Sequence, residues 1–273
     1  MKTNYINTNF LFRLGVFFLA TAPFISFILF FPCIVASLLK NPRNIFKDKF
    51  NIPFLFGMII MILSAIKQYF FNTELISQGW DRNLTFIGFF NWIPFLLFFI
   101  TFQDYLKDKK SRETIALCLI TGSIPVLISV ILQMFFDIHG PFSTLNGLIV
   151  WYQRPMKELS ATGVFSNPNY LAAWLLMVIP FSFSFLSIPK LSKSKKFFWL
   201  ILNSIFSMVL ILSMSRNGIS GLFLTFLLTF YRKLISLKSS IIFFYRKLIS
   251  LKFLIISFSI ILIIFSISFF LGN

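Results

Sequence analysis

The residues of this chain equipped for specific chemistry gather in a few short polar clusters at the ends of apolar runs. One runs Trp151-Tyr152-Gln153-Arg154-Pro155 and resumes at Gly163-Val164-Phe165-Ser166-Asn167-Pro168-Asn169-Tyr170; a second, further along, is Ser215-Arg216-Asn217-Gly218. Asn167-Pro168-Asn169 has the grammar of a helix start. Asn accepts a hydrogen bond from a free first-turn amide, and Pro at the first helical position gives up a donor that had no partner anyway. The helix so begun presents unpaired N–H groups and the positive end of its macrodipole, an arrangement suited to an anionic group such as a phosphate. On spacing alone, a well-capped helix with no ligand is the simpler account.

The elements that must position these clusters are membrane helices. The chain has 273 residues, 58% of them hydrophobic and 12% charged, with a mean hydropathy of +0.86. Uncharged runs long enough to cross a hydrocarbon core of about 30 Å recur along it. The expected fold class is therefore all-α, a polytopic transmembrane helical bundle forming a single integral membrane domain over residues 1–273. The 41 Phe residues are lipid-facing bulk in this reading. The net charge of +17 would suggest nucleic acid in a soluble domain; here the basic residues cluster in short connectors, so membrane lipids and not nucleic acid are the expected partner. Cys33 and Cys118 lie inside apolar runs and suggest neither a disulfide framework nor a metal site. The run from Leu11 to Leu39 is too long for a signal-peptide core and lacks a small-residue cleavage site.

That first run, interrupted by Pro23 and Pro32, reads either as one kinked span or as a tight pair of short segments. The next spans are expected at Ile52–Phe70, Leu84–Phe102, Ile115–Phe136, Pro168–Leu186, Phe197–Met214, Ile219–Phe230 and Phe253–Leu271. This makes eight, or nine if the first is doubled. Asn91 and Gln133 are the polar residues to watch within them. The connectors Lys40–Lys49, Lys107–Arg112, Lys190–Lys196 and Arg232–Lys252 are rich in Lys and Arg, whereas Asn72–Asn83 and Asp137–Ser166 are nearly balanced. The first group is assigned to the cytoplasm. Trp80, His139, Arg154, Asn167, Asn169 and Arg216 then all fall on the outer side. The span after Arg216 is short, which places Arg216 below the outer interface, either in a recess facing an anionic partner or snorkelling to headgroups. Residues 230–252 form a basic cytoplasmic connector in which Phe230-Tyr-Arg-Lys-Leu-Ile-Ser-Leu-Lys238 recurs as Phe244-Tyr-Arg-Lys-Leu-Ile-Ser-Leu-Lys252. A basic helix face on the inner leaflet and a recent duplication without function explain it equally well.

The only histidine, His139, rules out a histidine-ligated metal cluster. It reads as an exposed loop residue or, functionally, as an outer-loop proton acceptor. No Walker loop, dinucleotide fingerprint or paired carboxylate lies in the spans, so no cofactor is expected. All eight Asp and Glu lie in connectors or at span ends, which argues against a proton- or cation-coupled carrier.

Thr162-Gly163-Val164-Phe165-Ser166-Asn167-Pro168-Asn169 opening an apolar span, followed one hairpin later by Ser215-Arg216-Asn217-Gly218, resembles the O-antigen ligase and O-antigen polymerase superfamily. Asn91-Trp92-Ile93-Pro94, His139-Gly140-Pro141 and Asn146-Gly147-Leu148-Ile149-Val150-Trp151 resemble a cyanobacterial branch, some of whose members are labelled bicarbonate transporters. The resemblance covers most of the chain through short motifs. It implies an integral glycosyltransferase of the bacterial inner (plasma) membrane. Such an enzyme moves a glycan from a polyprenyl diphosphate carrier to a hydroxyl acceptor at the outer face, without metal or nucleotide sugar, in lipopolysaccharide and cell-envelope biosynthesis. Outward arginines would hold the diphosphate. Arg216 matches the Ser-Arg motif; Arg154, Asn167 and Asn169 complete the implied diphosphate-binding set, with His139 the available proton acceptor and the catalytic residues unassigned.

Two departures stand out. Many relatives carry an arginine shortly before the motif glycine, where this chain has Ser160 and Ala161, leaving Arg154 as the nearest substitute. Relatives also continue into a large outer loop with a histidine base, where this sequence stops at Asn273. The expectation is a chain corresponding to the front part of such an enzyme, lacking the base when alone and completed by a second polypeptide. Two other readings stay open: transport of bicarbonate or another small anion through the outward polar recess, and a non-catalytic membrane remnant.

Overall fold

The structure, a computed structural model, describes residues 7–40, 47–71, 84–155, 160–188 and 191–236. The expected span Phe253–Leu271, the second repeat copy Phe244–Lys252, the connector Asn72–Asn83 with Trp80, and the side chain of Asn91 lie outside the described residues. Among the described residues the protein is mostly helical, with six helical stretches long and apolar enough to cross a membrane.

The ambiguous first run is a pair. Helix α1, Thr8–Phe18, is capped by the Asn7 side chain, and α2, Pro23–Lys40, starts on a proline that needs no hydrogen-bond partner. The two run antiparallel: the Ser26 hydroxyl donates to the Gly15 carbonyl at 2.7 Å, and Cys33 Sγ approaches the Thr8 carbonyl at 3.4 Å. Phe12 joins this seam to the segment Phe102–Leu106, stacking on Tyr105 at 4.6 Å between ring centroids. The Tyr105 hydroxyl in turn donates to the Cys33 carbonyl at 3.1 Å.

Helices α3, Ile52–Phe71, and α4, Leu84–Thr101, form a second antiparallel pair. Phe54 stacks on Phe99 near one end, and Tyr69 meets Phe86 near the other. Most of their apolar surface is uncovered by protein, as suits helices whose solvent is hydrocarbon. A 3₁₀ turn, Phe102–Leu106, leads into α5, Lys109–Gly122. Asp108 caps α5, and hydrogen bonds from the Ser111 hydroxyl and amide hold its carboxyl below the ordinary carboxylate value.

The expected single helix over Ile115–Phe136 is two helices in one apolar stretch. After α5 the chain bends at Ser123 and continues as α6, Ile124–Phe135. Pro125 is the physical cause, because it has no N–H to donate and its ring crowds the preceding turn. Ser123 repairs the break by donating to the Leu119 carbonyl at 2.8 Å and accepting from the Trp174 indole at 3.0 Å. Gly122 is required at the bend, since a Cβ there would overlap the Phe17 carbonyl of α1.

An antiparallel hairpin, β1 Phe142–Thr144 and β2 Ile149–Trp151, interrupts the following connector, with Phe142 opposite Trp151 and Thr144 opposite Ile149. Helix α7, Pro168–Leu186, then packs against α8, Lys193–Leu212, with Phe185 stacked on Trp199. Helix α9, Arg216–Ser236, closes the described chain. Chain contacts divide the protein into units Met1–Ser220 and Gly221–Asn273. In the second unit, α9 continues with Thr225 and Thr229 donating to the Gly221 and Thr225 carbonyls one turn back. Every candidate site residue lies in the first.

Candidate functional site

The site is built from two helix starts. At the first, Asn167 has extended backbone and its side chain accepts from the Asn169 amide at 2.8 Å, with Pro168 as the first helical residue of α7. At the second, the Ser215 hydroxyl oxygen accepts from the Gly218 amide at 3.2 Å, and the Ser215 carbonyl accepts from Ile219, so Ser215 caps α9. The same hydroxyl donates to Asn169 Oδ1 at 2.8 Å. One hydrogen bond thus joins the Asn-Pro-Asn start to the Ser-Arg start, two segments that the sequence separates by a complete helical hairpin.

Gly218 makes this approach possible, because a Cβ there would stand 2.7 Å from the Ala172 Cβ in the first turn of α7. Both helices therefore bring their amide-rich ends to one place. Arg216 and Asn217, the first two residues of α9, are exposed beside the junction, as are Asn167 and Asn169. The arrangement combines two positive dipole ends, amide side chains and a guanidinium, which together favour an anion that accepts hydrogen bonds.

The loop that delivers the Asn-Pro-Asn start is pinned from beneath by Gln133 of α6. Its Oε1 accepts from the Thr162 and Gly163 amides at 3.0 and 2.9 Å; its Nε2 donates to the Arg154 carbonyl at 2.6 Å and to the Thr162 hydroxyl at 3.1 Å. All four hydrogen-bonding positions of this buried amide are used. Gln153 acts as a second pin. Its Oε1 accepts from Ser129 at 2.7 Å, its Nε2 donates to the Ile138 carbonyl at 2.8 Å, and its backbone bonds Gly163 and Gly140. Gln153 is buried with φ 32°, a conformation that non-glycine residues adopt when surrounding bonds demand it. Ala161 adds a third attachment, donating from its amide to the Leu212 carbonyl at the end of α8 at 2.9 Å.

Gly163, at φ 54°, supplies the left-handed turn into the helix start and passes over Val130, whose Cγ2 a Cβ would meet at 2.9 Å. Arg154 stands at the other end of this pinned loop: its amide donates to the Thr162 hydroxyl at 3.1 Å and its side chain is exposed. The structure thus brings Asn167, Asn169 and Arg216 together at the junction and ties Arg154 to them through the Thr162–Gln133 network.

His139 sits on the far side of Gln153. It is not the fully exposed loop residue of the plain account: its side chain is 27% exposed, with Nε2 2.7 Å from Asp137 Oδ1. Its Nδ1 is buried.

Sequence reading identified the capping asparagine and the arginines but not the groups that unite them. Ser215 was visible only as the residue before Arg216, and Gly218 as a turn former. Gln133 stands out in the sequence as a polar residue to watch, a lone amide in an otherwise apolar span, but its partners do not. No protein-family model, curated protein or solved structure matches the chain.

Proposed function

We propose that the joined starts of α7 and α9 bind the diphosphate of a polyprenyl-linked glycan, and that the protein belongs to the O-antigen ligase and polymerase type of membrane glycosyltransferase. The reaction so assigned passes the glycan to a hydroxyl acceptor at the outer face of a bacterial inner membrane. The observation that carries this reading is the Ser215–Asn169 hydrogen bond, which sets two helix amide ends and Arg216 around one point. A diphosphate has the charge and the acceptor oxygens that such a junction favours, and the guanidinium can meet two of them at once.

Orientation follows the basic connectors, with eight crossings, or nine with α1 counted. Two pairings support alternate crossings. Ser37, near the end of α2, donates to the Thr101 carbonyl at 2.9 Å, at the end of α4 that leads to Lys107–Arg112. At the opposite end of α2, the Thr21 carbonyl accepts from the Trp151 indole at 2.8 Å. Arg154, Asn167, Asn169 and Arg216 then face outward as the diphosphate-binding set, and His139, the one histidine of the chain, is assigned to the same side as the proton acceptor.

The test is binding of a polyprenyl diphosphate to the purified protein in lipid nanodiscs, with and without Arg216→Ala. Loss of a charge-assisted hydrogen bond of about 1.5–3 kcal/mol weakens binding by about tenfold or more. Equal affinity in the two proteins would overturn the assignment. Arg216-dependent bicarbonate flux without polyprenyl diphosphate binding would instead establish the small-anion reading.

A further inference from the structure

Ile124, Ile128, Ile131 and Phe135 are exposed at helical spacing along α6, the pattern of a lipid-facing stripe. The stripe does not stop where the helix stops. In chain order it continues through the exposed side chains of Phe136, Ile138, Phe142, Leu145 and Leu148. From Ile138 to Trp151 there is no Asp, Glu, Lys or Arg. A connector solvated by water ordinarily carries charge and hides its large apolar side chains. This one does neither.

The geometry of the hairpin tip points the same way. Leu145 and Asn146 have φ of 52° and 54°, followed by Gly147 at 86°. Asn and Gly adopt these angles readily, but Leu does so at a cost. Leu145 is nevertheless 62% exposed and Leu148 47% exposed, one on each side of the turn. At its base the hairpin is tied to the turn between α1 and α2 by the Trp151–Thr21 hydrogen bond. It therefore stands at the end of the bundle where α2 begins, beside the end of a crossing helix.

We infer that the β1–β2 hairpin is an interfacial insert, its Leu145–Leu148 tip seated in the headgroup and acyl boundary of the adjacent leaflet. The occupant of this apolar surface is phospholipid, for two reasons. The surface continues the lipid-facing stripe of α6, and it has no charge with which to select a polar partner. Aromatic Phe142 and Trp151, paired across the strands, belong at that depth, the amphipathic indole with its N–H already bonded. Seating the hairpin in this way fixes the height of the loop that follows it, from Tyr152 to the Asn167 cap, relative to the bilayer. The inference rests on the membrane-spanning reading of the helices and is independent of the ligand proposed for the junction.

The experiment uses the full chain in phosphatidylethanolamine–phosphatidylglycerol vesicles, with Cys33→Ala and Cys118→Ala. A nitroxide label is placed at Leu145→Cys and, in separate proteins, at Ile128→Cys as the lipid reference and Lys195→Cys as the water reference. Collision with oxygen, which concentrates in lipid, is compared with collision with a water-soluble nickel chelate. The expected result is that the Leu145 label gains oxygen accessibility and loses nickel accessibility relative to Lys195, approaching Ile128. A Leu145 label as open to nickel as Lys195, with Ile128 lipid-exposed, overturns the inference alone. So does a label shielded from both reagents, which would mean that protein covers the tip. If Ile128 itself behaves as water-exposed, the membrane-spanning reading fails and the inference fails with it.

Discussion

Replacing Gln133 by Met probes the pinned loop most sharply, because Met keeps the length and volume of the side chain while removing every polar atom. The Thr162 and Gly163 amides would lose their acceptor, and the Arg154 carbonyl and Thr162 hydroxyl would lose a donor. Removing one partner of a buried hydrogen bond leaves the other unsatisfied at about 1–3 kcal/mol. The two orphaned amides alone therefore cost about 2–6 kcal/mol if no water enters. That is a large part of the roughly 5–15 kcal/mol by which a typical domain is stable. Part of the loss will be avoided by letting the loop rise from α6, so the expected signature is local as well as global. Thermal unfolding in detergent falls, and amide hydrogen exchange quickens over residues 161–165 before it does in α7. Ile131→Met, at an exposed position on the same helix, controls for side-chain exchange in α6. An unchanged melting temperature together with unchanged exchange at Thr162 and Gly163 would refute the claim that Gln133 holds the loop.

The junction itself yields a coupling. Ser215→Ala and Asn169→Ala, measured singly and together, should show non-additive stability losses, with an interaction term of about 0.5–1.5 kcal/mol, the ordinary net worth of one hydrogen bond; strict additivity would deny that the bond contributes. Gly218→Leu must push α9 away from Ala172, and it should lower both thermal stability and polyprenyl diphosphate binding. Gly122→Leu meets the Phe17 backbone and should destabilise α1 without affecting that binding at temperatures where the protein remains folded. The Asp108 cap is acid-sensitive: its carboxyl is held below the ordinary value by Ser111, so its contribution is full above the unfolded carboxylate range and lost as pH falls through the folded value. Protection of the Ser111 amide should fall over that acid range and stay flat in Asp108→Asn, whose uncharged side chain still caps.

Elements defined by local signals were legible in the sequence. The start of α7 at Pro168 and its end at Leu186 agree with the structure, because the Asn cap, the proline and the length of the apolar run all lie within the segment. Helices α3 and α4 agree to within a residue at their ends for the same reason. The first run reads equally as a kinked span or a pair because hydropathy does not register the turn Leu19-Ala20-Thr21-Ala22; Ser26 bonding to Gly15 closes the pair, and that contact is tertiary. Pro125 is a local signal for the break in the fourth span that the reading of Ile115–Phe136 as one run does not use. The hairpin reads in sequence simply as connector, since its strands are short and Leu145 stands where a turn residue would be expected.

At the site, the capping chemistry of Asn167 could be read because a cap acts on its own helix. The joining of Asn169 to Ser215 and the four bonds of Gln133 could not, because each depends on segments meeting that are well separated in the chain. His139 reads as an exposed loop residue; the fold holds the residues on either side of it to Gln153, through the Ile138 carbonyl and the Gly140 amide, and leaves its side chain 27% exposed.

The most direct measurement for the central claim is photochemical. A polyprenyl diphosphate bearing a photoreactive group next to the diphosphate is irradiated with the protein in lipid nanodiscs, and the adducts are mapped by mass spectrometry. The account predicts adducts on the segments holding Asn167–Tyr170 and Ser215–Asn217, suppressed by excess unlabelled polyprenyl diphosphate and weakened in Arg216→Ala. Adducts spread over the lipid-facing helices, unaffected by competitor or by the loss of Arg216, would contradict it.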